Sequence, residues 1–263
     1  VVLVSILVVR KQWGWLAQLG DRRIVLTSIS AAALLALNWF VYIWGVNAGF
    51  ILETSLGYFI NPLVSVVLGV VVLRERLERT SLVAVAIATA GVVVLTLDVG
   101  TLPWVSLFLA GTFGLYGLIR KTSPAGSLDG LTLELLVMVP FALGFVVYRA
   151  ATGDGTLAAS DPALDLWLVG AGAVTAAPLL LFASAARRIP LWLVGMLQFI
   201  APTLQFLLGV VAWGEEWRGG QVVGFVLIWF ALAVFATGTF VESRRAAPGV
   251  GPRPAPVPTR DPE

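Results

Sequence analysis

Cysteine and histidine are both missing from these 263 residues, and each absence removes chemistry. Without cysteine there is no disulfide, no thiolate nucleophile and no thiolate metal ligand. Without histidine there is no Ser-His-Asp triad, no HExxH motif and no zinc centre of the usual Cys/His kinds. Charge is scarce as well, at 12% of residues, about half the share of an ordinary soluble domain. There is no GxxxxGK[ST] loop to cradle a nucleotide, which removes the ATP-driven pumps. The stretches between apolar runs are too short to hold a soluble catalytic domain, and no paired catalytic carboxylates stand out.

What is abundant is apolar surface: 59% of residues are hydrophobic and the mean hydropathy is +0.94, which points to lipid as the solvent. Apolar stretches recur at about 24–46, 55–73, 81–97, 103–119, 131–148, 166–186, 193–213 and 222–241. Each approaches the roughly 20 residues that cross a hydrocarbon core, so eight spans are expected. The run VVLVSILVV at 1–9 is too short to cross and lacks the charged start and small-residue cleavage site of a signal peptide. It reads as the tail of a span.

The basic residues test these spans. Of seventeen Lys and Arg, all but Arg149 and Arg218 fall at alternate inter-span positions: Arg10 to Arg23, Arg74 to Arg79, Arg120 with Lys121, Arg187 with Arg188, and the C-terminal arginines. The positive-inside rule therefore predicts that this side, with the C-terminus, is cytoplasmic. A net charge of +2 and a high isoelectric point do not imply nucleic acid, because the charge is dispersed between spans. Several tryptophans near span ends, among them Trp13, Trp104, Trp192 and Trp217, have the placement of interfacial anchors. The final stretch, AAPGVGPRPAPVPTRDPE at 246–263, is Pro-rich and predicts a disordered tail.

A shift of 140 residues lays FINPLVSVVLGVVVLRE (59–75) over FIAPTLQFLLGVVAWGE (199–215), with eight identities in register. The first copy ends on the Arg-rich side and the second, five spans later, on the other, so the copies cross in opposite directions. This predicts an all-α polytopic membrane bundle built as an inverted five-plus-five repeat, an architecture of secondary transporters. The first repeat would occupy 1–102 and the second 103–245. The counterpart of 103–119 maps upstream of the chain. The expectation is therefore a ten-helix pattern of which the first helix and about half of the second are absent here.

The run NWFVYIWGVNAGFILETSLGYFINPLVSVVLGVVVLRERL (38–77), with GLYGLIRK (114–121), LELLVMVP (133–140) and MLQFIAPTLQFLLGVVAWGEEW (196–217), resembles the RarD-like transporters of the EamA branch of the drug/metabolite transporter superfamily. The resemblance covers nearly the whole chain apart from the tail. It implies ten helices, cytoplasmic termini, a bacterial inner-membrane location, and export of small metabolites or drugs, chloramphenicol being the compound named for the founding member.

Pro62 has no N–H to offer the carbonyl of Tyr58, and Pro202 none for that of Gln198. Freed backbone is tolerated at membrane depth only against protein or a water-filled cavity. Both prolines are therefore predicted helix breaks. Around them Thr54, Tyr58, Asn61 and Ser65 share one helical face, and Gln198, Pro202, Gln205 and Gly209 repeat it. The expected substrate-binding set is Asn61, Tyr58, Asn38, Gln198, Gln205 and Tyr116 around a midplane cavity; the bland reading is that the amides join helices and Tyr116 packs. Glu53 and Glu134 are ionisable groups within spans, which marks them for proton coupling, although a carboxylate favoured by a helix start explains them equally well. Glu75 and Glu215, matched by the repeat, read as solvated or as salt-bridge partners at a gate. No cofactor or metal follows from the residues; the partners expected are a small-molecule substrate and the bilayer, not nucleic acid, and the oligomeric state is not legible. The rival readings are a channel, a non-transporting membrane protein and, less well supported, a membrane-embedded enzyme.

Overall fold

The computed structural model describes residues 14–100, 102–153, 162–213 and 219–246, with residues 3, 7 and 11. Of the predicted tail at 246–263, Ala246 ends the last helix and the rest lies outside the described residues, as do Glu215 and most of the run at 1–9. Regular structure among the described residues is all helical. A short α1 (Gly14–Gln18) leads to α2 (Arg22–Asn47), α3 (Ile51–Val67), α4 (Arg79–Val99), α5 (Trp104–Thr122) and α6 (Ser127–Ala151). There follow α7 (Pro162–Arg188), α8 (Leu191–Gln198), α9 (Ile200–Trp213) and α10 (Gly219–Ala246). Each of the eight predicted apolar stretches is largely helical, and among the described residues seven helical spans are long and apolar enough to cross a membrane. The eighth, α5, is diluted by Gly111, Gly114, Gly117 and Tyr116 and ends on Arg120 and Lys121.

Local chemistry sets the ends. Asp21 caps α2 by accepting from the amides of Arg23 at 2.8 Å and Ile24 at 3.4 Å, satisfying donors that have no partner within the helix. Gly100 stops α4 in the left-handed conformation, with φ of 75°, which a side chain would resist. The outward faces are apolar and exposed, Phe40, Phe141 and Val211 among them. In water such a surface is a liability; in lipid it meets its own kind.

The two prolines behave differently. The expected break at Asn61–Pro62 is corrected: α3 stays helical through Pro62 to Val67 and then widens into a π turn over Leu68–Val72. One missing N–H does not end a helix whose neighbours hold it on several sides, and the irregularity is deferred to Gly69. In the other copy the interruption falls at Phe199 and not at Pro202. Helix α8 ends at Gln198, Phe199 intervenes, and α9 restarts at Ile200. Pro202 then falls in the first turn of α9, where no N–H is required.

Helix α3 is the hub, packed against α2, α4, α5 and α8, while α4 and α10 form a tight pair. Small residues allow these approaches. A Cβ on Gly91 of α4 would lie 2.9 Å from the carbonyl of Gly224 on α10, and one on Gly195 of α8 would lie 2.5 Å from the carbonyl of Pro62. Close backbone contact is the main source of helix association in a solvent as apolar as the side chains. The largest apolar cluster joins Phe59 of α3, Met196 and Phe199 of the α8–α9 segment, and Phe225 and Ile228 of α10.

Candidate functional site

A cavity of about 360 Å³ lies among α2, α3, α5, α7 and the α8–α9 break. Its volume is within the range of small-molecule sites. Helix α3 contributes Thr54, Tyr58 and Asn61, one face at helical spacing; α2 contributes Asn38, Trp39 and Tyr42; Gln198 and Pro202 flank the break. Among the described residues the wall carries no charged side chain. Of the predicted binding residues, Asn38, Tyr58, Asn61 and Gln198 thus meet at one cavity, and Pro202 borders it. Pro62 is buried beneath, against Gly195.

Helices α3 and α8 touch through their amides. Asn61 Nδ2 donates to Gln198 Oε1 at 2.7 Å, across 137 residues of chain. Asn38 Nδ2 donates to the carbonyl of Leu109 at 2.9 Å and to Thr112 Oγ1 at 2.8 Å, fixing α2 to α5 beside the cavity. Tyr42 and Tyr58 meet edge to face, with ring centroids 6.0 Å apart.

Gln205 and Tyr116 lie elsewhere. Seven residues separate Gln198 from Gln205, which leaves them about two turns apart along the segment. Gln205 borders a second cavity of about 430 Å³ between α3, α4, α9 and α10, with Asp98, Phe206 and Phe225. Pro202 borders both cavities. Tyr116 is fully buried, behind Phe113 and Phe182, whose rings lie 5.6 Å and 6.0 Å from its own. Its hydroxyl donates to Glu134 Oε2 at 3.2 Å.

Neither carboxylate marked for proton coupling borders the first cavity. Glu53 Oε2 accepts from the amide of Val105 at 3.2 Å, holding the start of α5 to the start of α3. Glu134 pairs with Arg120 at 2.9 Å, both side chains almost completely buried. Arg120 donates further to the carbonyls of Gly126 and Ser127, at 3.1 and 3.2 Å, closing the α5–α6 turn. A carboxylate at mid-sequence shows only that it needs a partner; which partner is a fact of tertiary packing.

The Arg-rich end is knitted shut. Glu75 accepts from the amides of Leu191 at 2.9 Å and Trp192 at 3.1 Å, so it caps α8 from 116 residues away, and its carboxylate lies 3.3 Å from Lys121 Nζ. Lys121 in turn donates to the carbonyl of Ile189 at 2.7 Å, and Arg187 to that of Ser123 at 2.6 Å. Of the two sequence readings of Glu75, this geometry favours the salt-bridge partner. The cavity itself lies near the middle of the bundle: Asn38 to Tyr42 of α2 and Thr54 to Tyr58 of α3 come from the Arg-poor halves of their helices, while Asn61 stands near mid-helix and Pro178 and Phe182 of α7 come from the half nearer Arg187.

The wall residues not foreseen include Trp39, Tyr42, Phe113, Thr175, Pro178 and Phe182. Only Pro178, a proline within a span, carried a usable signal.

A comparison with protein-family models finds no match. Among curated proteins the chain is 44% identical to an uncharacterized transporter, YojE of Bacillus subtilis, covering 94% of this chain and 83% of that one. It is 42% identical to Protein RarD of Streptomyces exfoliatus over 100% and 84% of the two chains. It is 39% identical to Protein RarD of Escherichia coli over 94% and 83%. A solved crystal structure superposes with a TM-score of 0.61 at 18% identity, covering 94% of this chain and 85% of that one, a likeness of fold. Bundle and relatives together define a multi-pass helical membrane transporter. Within that class, the chain belongs to the RarD-like transporters.

Proposed function

We propose that the protein is a secondary transporter that moves small metabolites or drugs outward by alternating access around the cavity at Asn61 and Gln198. The observation that carries this reading is the amide contact between α3 and α8 on the wall of that cavity. Two oppositely threaded repeats, 1–102 and 103–245, each supply one proline-bearing segment, and those segments meet where the wall is polar. Such a site at the interface of repeats is where inverted-repeat carriers hold their solutes.

With the Arg-rich end in the cytoplasm of a bacterial cell, the cavity lies within the bundle and the Glu75 and Arg187 contacts close the inside beneath it. The C-terminal tail is then cytoplasmic. Alternating access requires that those contacts break when the outer half closes, with the α8–α9 interruption and the π turn of α3 as the places where the backbone can yield. Glu53 and Glu134 anchor helices in this state, and coupling to protons through either would require those anchors to be released.

Comparing the metabolites of cells lacking and overproducing the protein names the solute, and its flux into liposomes, with and without a pH gradient, then tests the reading. Saturable flux at carrier rates supports it, and dependence on the gradient assigns proton coupling. Flux at channel rates, or none for any accumulated solute, overturns it.

A further inference from the structure

The wall of the cavity holds a hydrogen-bonding pair that is half satisfied. Asn61 Nδ2 donates to Gln198 Oε1, but Asn61 Oδ1 and Gln198 Nε2 are buried and without partners. Two primary amides can close a ring of two hydrogen bonds; here one forms and the second is missing. The remainder is one acceptor beside one donor. This does not depend on how the amide oxygens and nitrogens are assigned, since exchanging them on both residues again leaves one of each. A buried polar atom without a partner costs about 1–3 kcal/mol, so a molecule able to satisfy both atoms gains from doing so.

We infer that Asn61 and Gln198 together recognise an uncharged solute group that donates and accepts hydrogen bonds at once, an amide or a hydroxyl. The inference rests on the cavity being the solute site. A small rotation about the terminal bonds of the two side chains turns the unpaired atoms toward the solute, whose N–H or O–H donates to Asn61 Oδ1 while its oxygen accepts from Gln198 Nε2. The surroundings select the rest of the solute. No charged side chain among the described residues lines the wall, so a carboxylate or an ammonium meets no counter-charge and loses its hydration. Trp39, Tyr42, Tyr58, Phe113 and Phe182 offer ring faces and edges, which suit an aromatic or flat apolar body.

The test is equilibrium binding of radiolabelled benzamide to the protein in lipid nanodiscs, with benzyl alcohol, ethylbenzene, benzoate and benzylammonium as competitors. Benzamide and benzyl alcohol should bind at least tenfold more tightly than ethylbenzene and the two ions, the difference expected for satisfying the two orphaned atoms. Asn61→Leu and Gln198→Leu should each erase that advantage while ethylbenzene still binds saturably, which also reports that the cavity is intact. Gln198→Glu, which places an anion on the wall, should move the preference to benzylammonium. If benzamide and ethylbenzene compete alike, or the substitutions leave their ratio unchanged, the amide pair does not recognise the solute although the cavity still binds it. If no probe binds saturably, the cavity is not the solute site, and both this inference and the reading beneath it fail.

Discussion

Replacing Glu75 by alanine should open the Arg-rich end of the bundle. In this state the carboxylate receives two backbone hydrogen bonds at the start of α8, from Leu191 and Trp192, where the helix also presents the positive end of its dipole. Hydrogen bonds to a charged group contribute about 1.5–3 kcal/mol each. The contact with Lys121 is partly exposed, at 20% and 13% for the two side chains, and adds about 1 kcal/mol at most. Taking the low end, removal shifts the balance between closed and open by about 3 kcal/mol, or roughly a hundredfold in the ratio of the two states. Glu75→Gln keeps one acceptor oxygen and should show about half of that free energy.

The absence of native cysteine makes the measurement clean. A single Ala201→Cys reporter stands on the cavity wall, and its alkylation by a membrane-impermeant maleimide can be followed from either side in oriented vesicles. From the Arg-rich side, Glu75→Ala should raise the rate by tenfold or more and Glu75→Gln by less. From the other side the rate should fall in step, since one population grows at the expense of the other. Equal rates for all three proteins from both sides would refute the latch and the conformational cycle built on it.

Three further outcomes follow from packing. Glu134→Ala leaves Arg120 charged and almost completely buried, which should destabilise the protein by about 3–5 kcal/mol, whereas replacing both partners with Leu and Met should recover most of the loss; thermal unfolding in nanodiscs measures both. Gly195→Ala places a Cβ 2.5 Å from the carbonyl of Pro62, where no flexible side chain can give way, so α3 and α8 should separate at a cost of about 1–3 kcal/mol and transport should fall with the Asn61–Gln198 bond. Glu53→Ala removes the acceptor of the Val105 amide and should lower stability by about 1–2 kcal/mol, as loss of a helix cap does, with Glu53→Gln intermediate.

Hydropathy alone located every long helix, because lipid imposes length and apolarity on any segment that crosses it. The face carrying Thr54, Tyr58 and Asn61 was legible for a related reason: inside one uninterrupted helix, spacing is geometry. Spacing fixes a face and not what stands opposite it, and Gln205, two turns from Gln198, borders another cavity. Pro62 carried the same sequence signal as Pro202 and a different outcome, since the packing of α3 against its neighbours held the helix through the missing bond. The roles of Glu53, Glu75 and Glu134 were beyond sequence reasoning for one cause. Their partners, Val105, Leu191 with Trp192, and Arg120, are set by how helices dock, and nothing along the chain announces that a carboxylate will cap a helix more than a hundred residues away.

Transport by Asn61→Leu tests the central claim most directly, because this substitution keeps the branching and the number of heavy atoms of the side chain while removing both polar atoms from the seam between α3 and α8. For the solute identified by metabolite comparison, saturable uptake into proteoliposomes should be abolished while the protein remains folded and membrane-inserted. Uptake at the unsubstituted rate would make the amide seam a packing contact and place the solute path elsewhere.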